Sequence, residues 1–391
     1  MSKKISIFLI SFLLIMLSFW IWTIATTKDS IVIGGSTSVN PFMQLATKSY
    51  SKNDFVYNST GSQAGVSGVE KGMYEAGFIS KDAVDGEGKS QTLSSGNSFI
   101  KDGYWEVNKD GSFTDYKKQL KEYSNSSKSN SFLSITIAID AIGIIFNSPS
   151  YWSKQVNGTS INDLVNFNIN EKDDLLALLY EGNITWYDLA SKFLAKLNKS
   201  NLDLLKTWNE DNKDAGNNKV PTFTREDGSG TRSAFSDLTK IKKMPNSNVV
   251  NSNGAMIEQI RSSTGFGYVS NGFIQNLSKD SGIYLAGIEW QKLASPLTEG
   301  NNPFKFSDES LSWEKSDTYN SNNEFIINSY SFKRPFICIA NIKSKHFEEL
   351  YNFIEFLYLW NEDDKENPFN IEGLVKSIIF NELHKQVGNQ E

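Results

Sequence analysis

The amino-acid sequence predicts an α/β protein whose sheets begin with parallel strands covered by helices. Three features lead there. Short β-branched runs alternate with helical patterns from Ser30 to Ile79. A long apolar run, Ile135 to Phe146, fits a strand buried on both faces. Turns rich in glycine and hydroxyls repeatedly join a strand to the helix after it.

Ser30 to Gly35 is a strand ending in glycine, and Pro41 to Tyr50 follows as a helix with Phe42, Met43, Leu45 and Ala46 as its apolar residues. Asp54 to Tyr57 is the second strand, Ala64 to Met73 the second helix and Ala76 to Ile79 the third strand. From Asp85 to Asn130 the chain turns to Ser, Gly, Lys and Asn, which reads as a surface insertion with a hairpin near Tyr104 to Val107. Helices are expected at Leu175 to Tyr180 and Trp186 to Leu197, and a strand at Thr222 to Thr224. Next come a helix over Thr231 to Lys240, a strand at Gly265 to Ser270 and an irregular polar stretch, Leu297 to Asn323. The chain closes with a strand at Phe336 to Ala340 and helices at Phe347 to Trp360 and Ile371 to Lys385.

At 391 residues the chain is too long for one small core. Its 39% hydrophobic and 21% charged residues are ordinary for a globular protein. A net charge of −6 argues against nucleic acid, which demands a basic face, but not against a small anion held by local donors. Lys3 and Lys4 precede an apolar run from Ile5 to about Ala25, long enough to cross a bilayer as a helix. Thr23-Ile24-Ala25 is a weak cleavage site, and the length of the run favours an uncleaved anchor. The lysines place residue 28 onward outside the cell membrane. Cys338, the single cysteine, lies in an apolar strand and allows neither an internal disulfide nor a cysteine-based zinc site.

The chemistry concentrates in Thr224-Arg225-Glu226-Asp227-Gly228-Ser229-Gly230-Thr231, between a strand and a helix. A helix N-terminus offers free N–H groups and the positive end of a dipole to an anion. Ser229 and Thr231 add hydroxyls, Arg225 adds a planar cation, and Asp227 is placed to hold that guanidinium. Capping alone would also explain Ser229. The loop lacks the Gly-Lys-Ser/Thr ending of a nucleotide P-loop. Two further turns, Gly34-Gly35-Ser36-Thr37-Ser38 and Ser59-Thr60-Gly61-Ser62-Gln63-Ala64-Gly65, share the strand–turn–helix setting. Each by itself reads as a plain N-cap. Three together point to one crevice at the carboxyl ends of parallel strands.

Ser36-Thr37-Ser38, Thr60 to Gly65 and the Arg225 to Thr231 stretch resemble the phosphate-binding protein of the Pst ABC transporter, in order and spacing. Leu178 to Trp186 is similar to that family's IYxGKIxxW stretch, and Gly265 to Val269 to its GxIGYV. The resemblance spans about Ile31 to Trp360. It implies a two-lobe periplasmic-binding-protein-like fold of type II, with mixed sheets and a hinge, behind an anchor at 1–27. One lobe would take 28–139 and 325–391, with 85–130 inserted, and the other 140–324. By the resemblance Thr37, Ser38 and Ser62 bind phosphate from the first lobe, and Arg225, Ser229, Gly230 and Thr231 from the second, with Ser36 and Ser80 in support. Relatives often carry an aspartate where Lys81 stands, to accept the proton of hydrogen phosphate. Asp140 at the lobe crossover, or Asp82, is the expected replacement, although Lys81 also reads as a surface residue and Asp140 as a strand cap.

His346 and His384 are the two histidines, both among charged neighbours, so no serine or cysteine triad and no histidine-based metal site is expected. The reading is therefore a receptor, not an enzyme. It binds inorganic phosphate as a monomer without a cofactor and serves the permease subunits of an ABC importer. A receptor for sulfate or molybdate is the alternative, and a phosphate-ester hydrolase is the alternative from another class.

Overall fold

In a computed structural model, residues 30–84, 90–99, 132–169, 175–196, 202–275, 281–289, 330–361 and 364–380 are described, with short strands at 291–292, 304–307 and 312–315 and a few single positions. The apolar N-terminal run, most of the 85–130 insertion with its hairpin, most of the polar Leu297 to Asn323 stretch, and His384 lie outside the described residues. No helix among the described residues is long and apolar enough to cross a membrane.

The first 50 residues of the described chain follow the expected order: β1 (Ile31–Gly35), α1 (Asn40–Ser49), β2 (Phe55–Ser59), α2 (Ser62–Glu70) and β3 (Ala76–Ile79). β1 pairs in parallel with β2 on one side and β3 on the other. This puts the carboxyl ends of all three strands, and the turns that follow, along one edge. β4 (Phe132–Asn147) is longer than the predicted run and almost wholly buried. At roughly 3.3 Å per residue it spans about 50 Å. That length lets it serve two cores.

The second half holds β5 (Asn166–Phe167), α3 (Leu175–Glu181), α4 (Trp186–Lys196), α5 (Asp203–Asp211), β6 (Phe223–Arg225), α6 (Gly230–Thr239), β7 (Asn248–Val250), α7 (Asn253–Ser262), β8 (Gly265–Ser270) and α8 (Asn271–Gln275). Short strands β9 (Tyr284–Leu285), β10 (Gly287–Ile288), β11 (Gln291–Lys292), β12 (Phe304–Ser307) and β13 (Ser312–Lys315) precede β14 (Lys333–Asn341). The chain ends in α9 (Phe347–Leu359), α10 (Pro368–Ile371) and β15 (Val375–Phe380). The expected helix from Ile371 to Lys385 is therefore corrected. Asn367 caps α10 by accepting the Phe369 N–H, and Gly373 at φ 59° turns the chain out of it. β15 then pairs antiparallel with β4, whose ladder satisfies its backbone better than an isolated helical turn could.

The main sheet runs β15-β4-β14-β3-β1-β2, with β8 and β9 on the far half of β4. It is mixed: β14 is antiparallel to both β3 and β4. The amino half of β4 packs with Ile33, Phe42, Phe78, Phe336, Cys338, Phe353 and Leu357 in one core. From Ala141 onward it joins a second core with Trp152, Leu179, Phe235, Phe266 and Tyr268. Phe235 stacks on Tyr268 at 4.0 Å, and Phe146 on Phe266 at 4.9 Å. On α9, Tyr351 and Phe353 are buried in the first core.

Candidate oxyanion site

β1 ends in Gly35, whose φ of +138° only glycine tolerates, and a Cβ there would stand 2.2 Å from the Phe78 carbonyl oxygen. That close approach lets the Ser36 N–H donate to the Phe78 carbonyl at 2.8 Å. It also sets the Ser36 hydroxyl 2.7 Å from that of Ser80, just past β3. The Tyr57 hydroxyl donates to the Ser36 carbonyl at 2.7 Å and holds the turn from beneath. The Thr60 and Gly61 N–H groups both donate to the Gly35 carbonyl, so the second turn is built on the first. Ser62 then opens α2 fully buried, and its Oγ accepts the Ser80 N–H at 3.3 Å.

On the second core, Tyr268 anchors the end of β6: its hydroxyl pairs with the Thr224 hydroxyl at 2.7 Å and accepts the Arg225 N–H at 3.3 Å. Burial holds this phenol above its usual range, opposed by the Thr224 hydroxyl. Gly228 at φ +85° turns the chain into α6, and Ser229 caps that helix by accepting the Arg232 N–H.

The two halves meet. Ser38 Oγ lies 2.8 Å from Thr231 Oγ1, and Arg225 Nη2 donates to Thr37 Oγ1 at 3.1 Å. The Gln63 N–H donates to the Gly228 carbonyl at 3.2 Å. Gly230 fits only because it has no side chain, since a Cβ would stand 2.2 Å from Ser62 Oγ and 2.3 Å from Ser80 Oγ. Thr37, Ser38, Ser62, Ser80, Arg225, Gly230 and Thr231 thus come together where the two halves meet, with Ser36 and Ser229 beside them.

Arg225 carries a guanidinium at this meeting point, and its side chain is 0% exposed. Nε and Nη2 donate to both Glu226 oxygens at 2.9 and 2.8 Å, and Nη2 also reaches the Asn251 carbonyl at 3.3 Å. Nη1 is buried with no hydrogen-bond partner among the described residues. A buried cationic donor left so is costly unless something accepts from it.

One expectation changes. Asp227 does not hold Arg225. Its side chain is 97% exposed and pairs with Arg232 at 2.6 Å, because the turn at Gly228 sends it outward while Glu226, 31% exposed, lies along the guanidinium. Asp140 is buried, with Oδ2 accepting from Ser270 at 2.7 Å and from Arg334 Nε at 3.1 Å and with Oδ1 lacking a hydrogen-bond partner among the described residues. Burial raises its carboxyl, and Arg334 leads the opposing effects. Asp82 is exposed, and Lys81 is half-buried. Burial lowers the Lys81 ammonium from its usual range, opposed by Asp237 on α6 of the other core.

Glu226, Asn253 and Arg334 escaped the sequence reading. Asn253 opens α7 fully buried and its Nδ2 donates to Ser38 Oγ at 2.9 Å. Its setting, Ser252-Asn253-Gly254 before a helix, has the strand–turn–helix form of the other three turns and could have been read as a fourth. Arg334 stands between Lys333 and Pro335 with no local pattern to mark it. Among the described residues no group of three or more His, Cys, Asp or Glu side chains could hold a metal ion.

Two cores joined by a continuous strand, with hydroxyls and one buried guanidinium where they meet, define a two-lobe α/β protein. A family model described as the PBP superfamily domain matches residues 23–358, and the chain belongs to that family. No curated protein matches it. Among solved structures it is similar to a Clostridium perfringens protein assigned as a phosphate ABC transporter substrate-binding protein with bound phosphate. That pair shares 18% identity over 89% of this chain and 100% of the other, with a TM-score of 0.49. An ABC-type phosphate transport receptor from Vibrio cholerae shares 18% over 89% and 100%, with a TM-score of 0.46. PstS from Borrelia burgdorferi shares 18% over 89% and 99%, with a TM-score of 0.38.

Proposed function

We propose that the chain is a receptor that captures inorganic phosphate between its two halves and passes it to the permease subunits of an ABC importer. The observation that carries this is Arg225 Nη1: a buried cationic donor without a partner among the described residues, on a guanidinium whose Nη2 donates to Thr37 of the other half. A small oxyanion satisfies it, and the hydroxyls of Ser38, Ser62, Ser229 and Thr231 with the N-terminus of α6 replace the anion's water shell. Ligand gripped from both sides favours the closed arrangement of 28–139 with 325–391 against 140–324, which is how occupancy reaches a partner. The receptor works outside the cell, held by the apolar run at 1–27, and binds its ligand rather than transforming it.

A receptor for sulfate or molybdate is the second reading, and one observation favours it. Asp82 is exposed and Asp140 Oδ2 is held by Arg334 and Ser270, so the proton of hydrogen phosphate would have to be accepted by the buried Asp140 Oδ1, by Glu226 or by a hydroxyl. Isothermal titration of the full-length chain with phosphate, sulfate and molybdate at fixed ionic strength separates the readings. Phosphate should bind at least about tenfold more tightly than sulfate, a gap of about 1.4 kcal/mol. Preference for sulfate would move the assignment to the second reading, and binding of none of the three would end both.

A further inference from the structure

β4 and β14 carry the chain between the two cores side by side, and Arg334 is the register partner of Asp140. Both side chains are buried, at 1% and 0% exposure, and Arg334 Nη2 lies 3.0 Å from the Asp140 Oδ2 that Nε also reaches. Ser270, at the end of β8 in the second core, donates to the same oxygen. The remaining nitrogen points the other way: Nη1 donates to the Ser80 carbonyl at 3.2 Å. Ser80 belongs to the pocket wall through its contacts with Ser36 and Ser62. One guanidinium therefore ties the crossing strands to the turn that faces the ligand space.

A buried ion pair is a weak means of stabilising a fold, since apolar residues of similar volume often do as well. This pair also stands within electrostatic reach of the site. Burial chiefly lowers the Arg334 guanidinium from its usual range, the pair with Asp140 opposes this, and Arg225 adds its repulsion. An anion held by Arg225 would feel both members of the pair. Left alone, Asp140 would repel it.

We propose that Arg334 is a positioning residue of the anion pocket: it holds the Ser80 turn by its carbonyl and keeps the Asp140 charge from acting on the bound ligand. The inference rests on the oxyanion reading above and goes beyond it by assigning the crossing strands a direct part in affinity.

Titration of full-length variants with inorganic phosphate at neutral pH tests it, with thermal melts without ligand as the folding check. Arg334→Gln should weaken binding by about tenfold or more, because a buried carboxylate then acts on the anion without its counter-charge. Adding Asp140→Asn to Arg334→Gln removes that charge and should recover about half of the lost affinity on a logarithmic scale. A residue that only supported the fold would leave the double variant no tighter than the single one. Arg334→Lys keeps the charge but not the planar fork and should fall between wild type and Arg334→Gln.

Wild-type affinity in Arg334→Gln, or a double variant no tighter than the single, would overturn the proposal. Should Arg334→Gln not fold, Arg334→Lys decides: weaker binding with an unchanged melt supports it, and wild-type affinity overturns it. If the wild-type chain binds no oxyanion, the receptor reading falls and this inference with it. If the wild type binds and the Arg334 variants match it, this inference alone falls.

Discussion

Replacing Arg225 with alanine tests the centre of the site, and its size follows from the contacts. The guanidinium is fully buried, with two nitrogens on Glu226 and Nη1 unpartnered. A bound oxyanion would gain at least one charge-assisted hydrogen bond from Nη1, worth about 1.5–3 kcal/mol. Truncation also leaves Glu226 without its cation beside the anion. Because Glu226 is 31% exposed, solvent reduces that repulsion to about 1 kcal/mol. Together these give about 3 kcal/mol, a rise in Kd of roughly 100-fold or more. Titration with phosphate reads the change directly, and an unliganded melt guards against misfolding. The paired variant Arg225→Ala with Glu226→Ala should recover roughly fivefold, since the leftover carboxylate is gone. Affinity within about threefold of wild type in Arg225→Ala would refute the reasoning, because no buried counter-charge can be lost so cheaply.

Three more outcomes follow from the same coordinates. Gly230→Ala sets a methyl against Ser62 and Ser80, so phosphate affinity should fall by at least about tenfold in titration, and the unliganded melt should show the loss of about 1–3 kcal/mol that overpacking costs. Phe235→Ala removes a ring stacked on Tyr268 and edge-on to Phe332, and should cost about 3–5 kcal/mol in urea unfolding. Glu372, in the turn after α10, has its carboxyl raised to about 7, first by burial and then by the Asp140 charge. The folded state therefore holds a proton that the unfolded chain releases above its ordinary carboxyl range, so stability from this group is present at low pH and is lost as pH rises through about 7. Glu372→Gln should remove that loss and gain roughly 3 kcal/mol over wild type at pH 8, with a flatter stability profile between pH 5 and 7. Parallel profiles for the two proteins in urea titrations would count against it.

Much of the first core could be read before any coordinates. β1 to β3 with α1 and α2 are local elements, each announced by its own periodicity and bounded by its own glycine or hydroxyl, and the structure keeps that order. The Arg225 to Thr231 turn is local as well, with its residues within seven consecutive positions. The last 20 residues were harder. Val375 to Phe380 carries apolar residues at spacings that also suit a helix, and the free edge of β4, more than 200 residues earlier, decides for a strand.

The amino-acid order alone marked the residues of the proposed anion site, because glycines, hydroxyls and an arginine at strand-to-helix turns act through their own backbone neighbourhood. Only the tertiary structure decided how the charges are paired. Arg225 takes Glu226 rather than Asp227 because a positive φ at Gly228 turns one carboxylate outward and leaves the other along the guanidinium. Asp140 takes Arg334, 194 residues away, because two crossing strands pair in register. Short-range geometry is written in neighbouring residues, whereas the partner of a buried charge depends on which distant segments the two cores bring into contact.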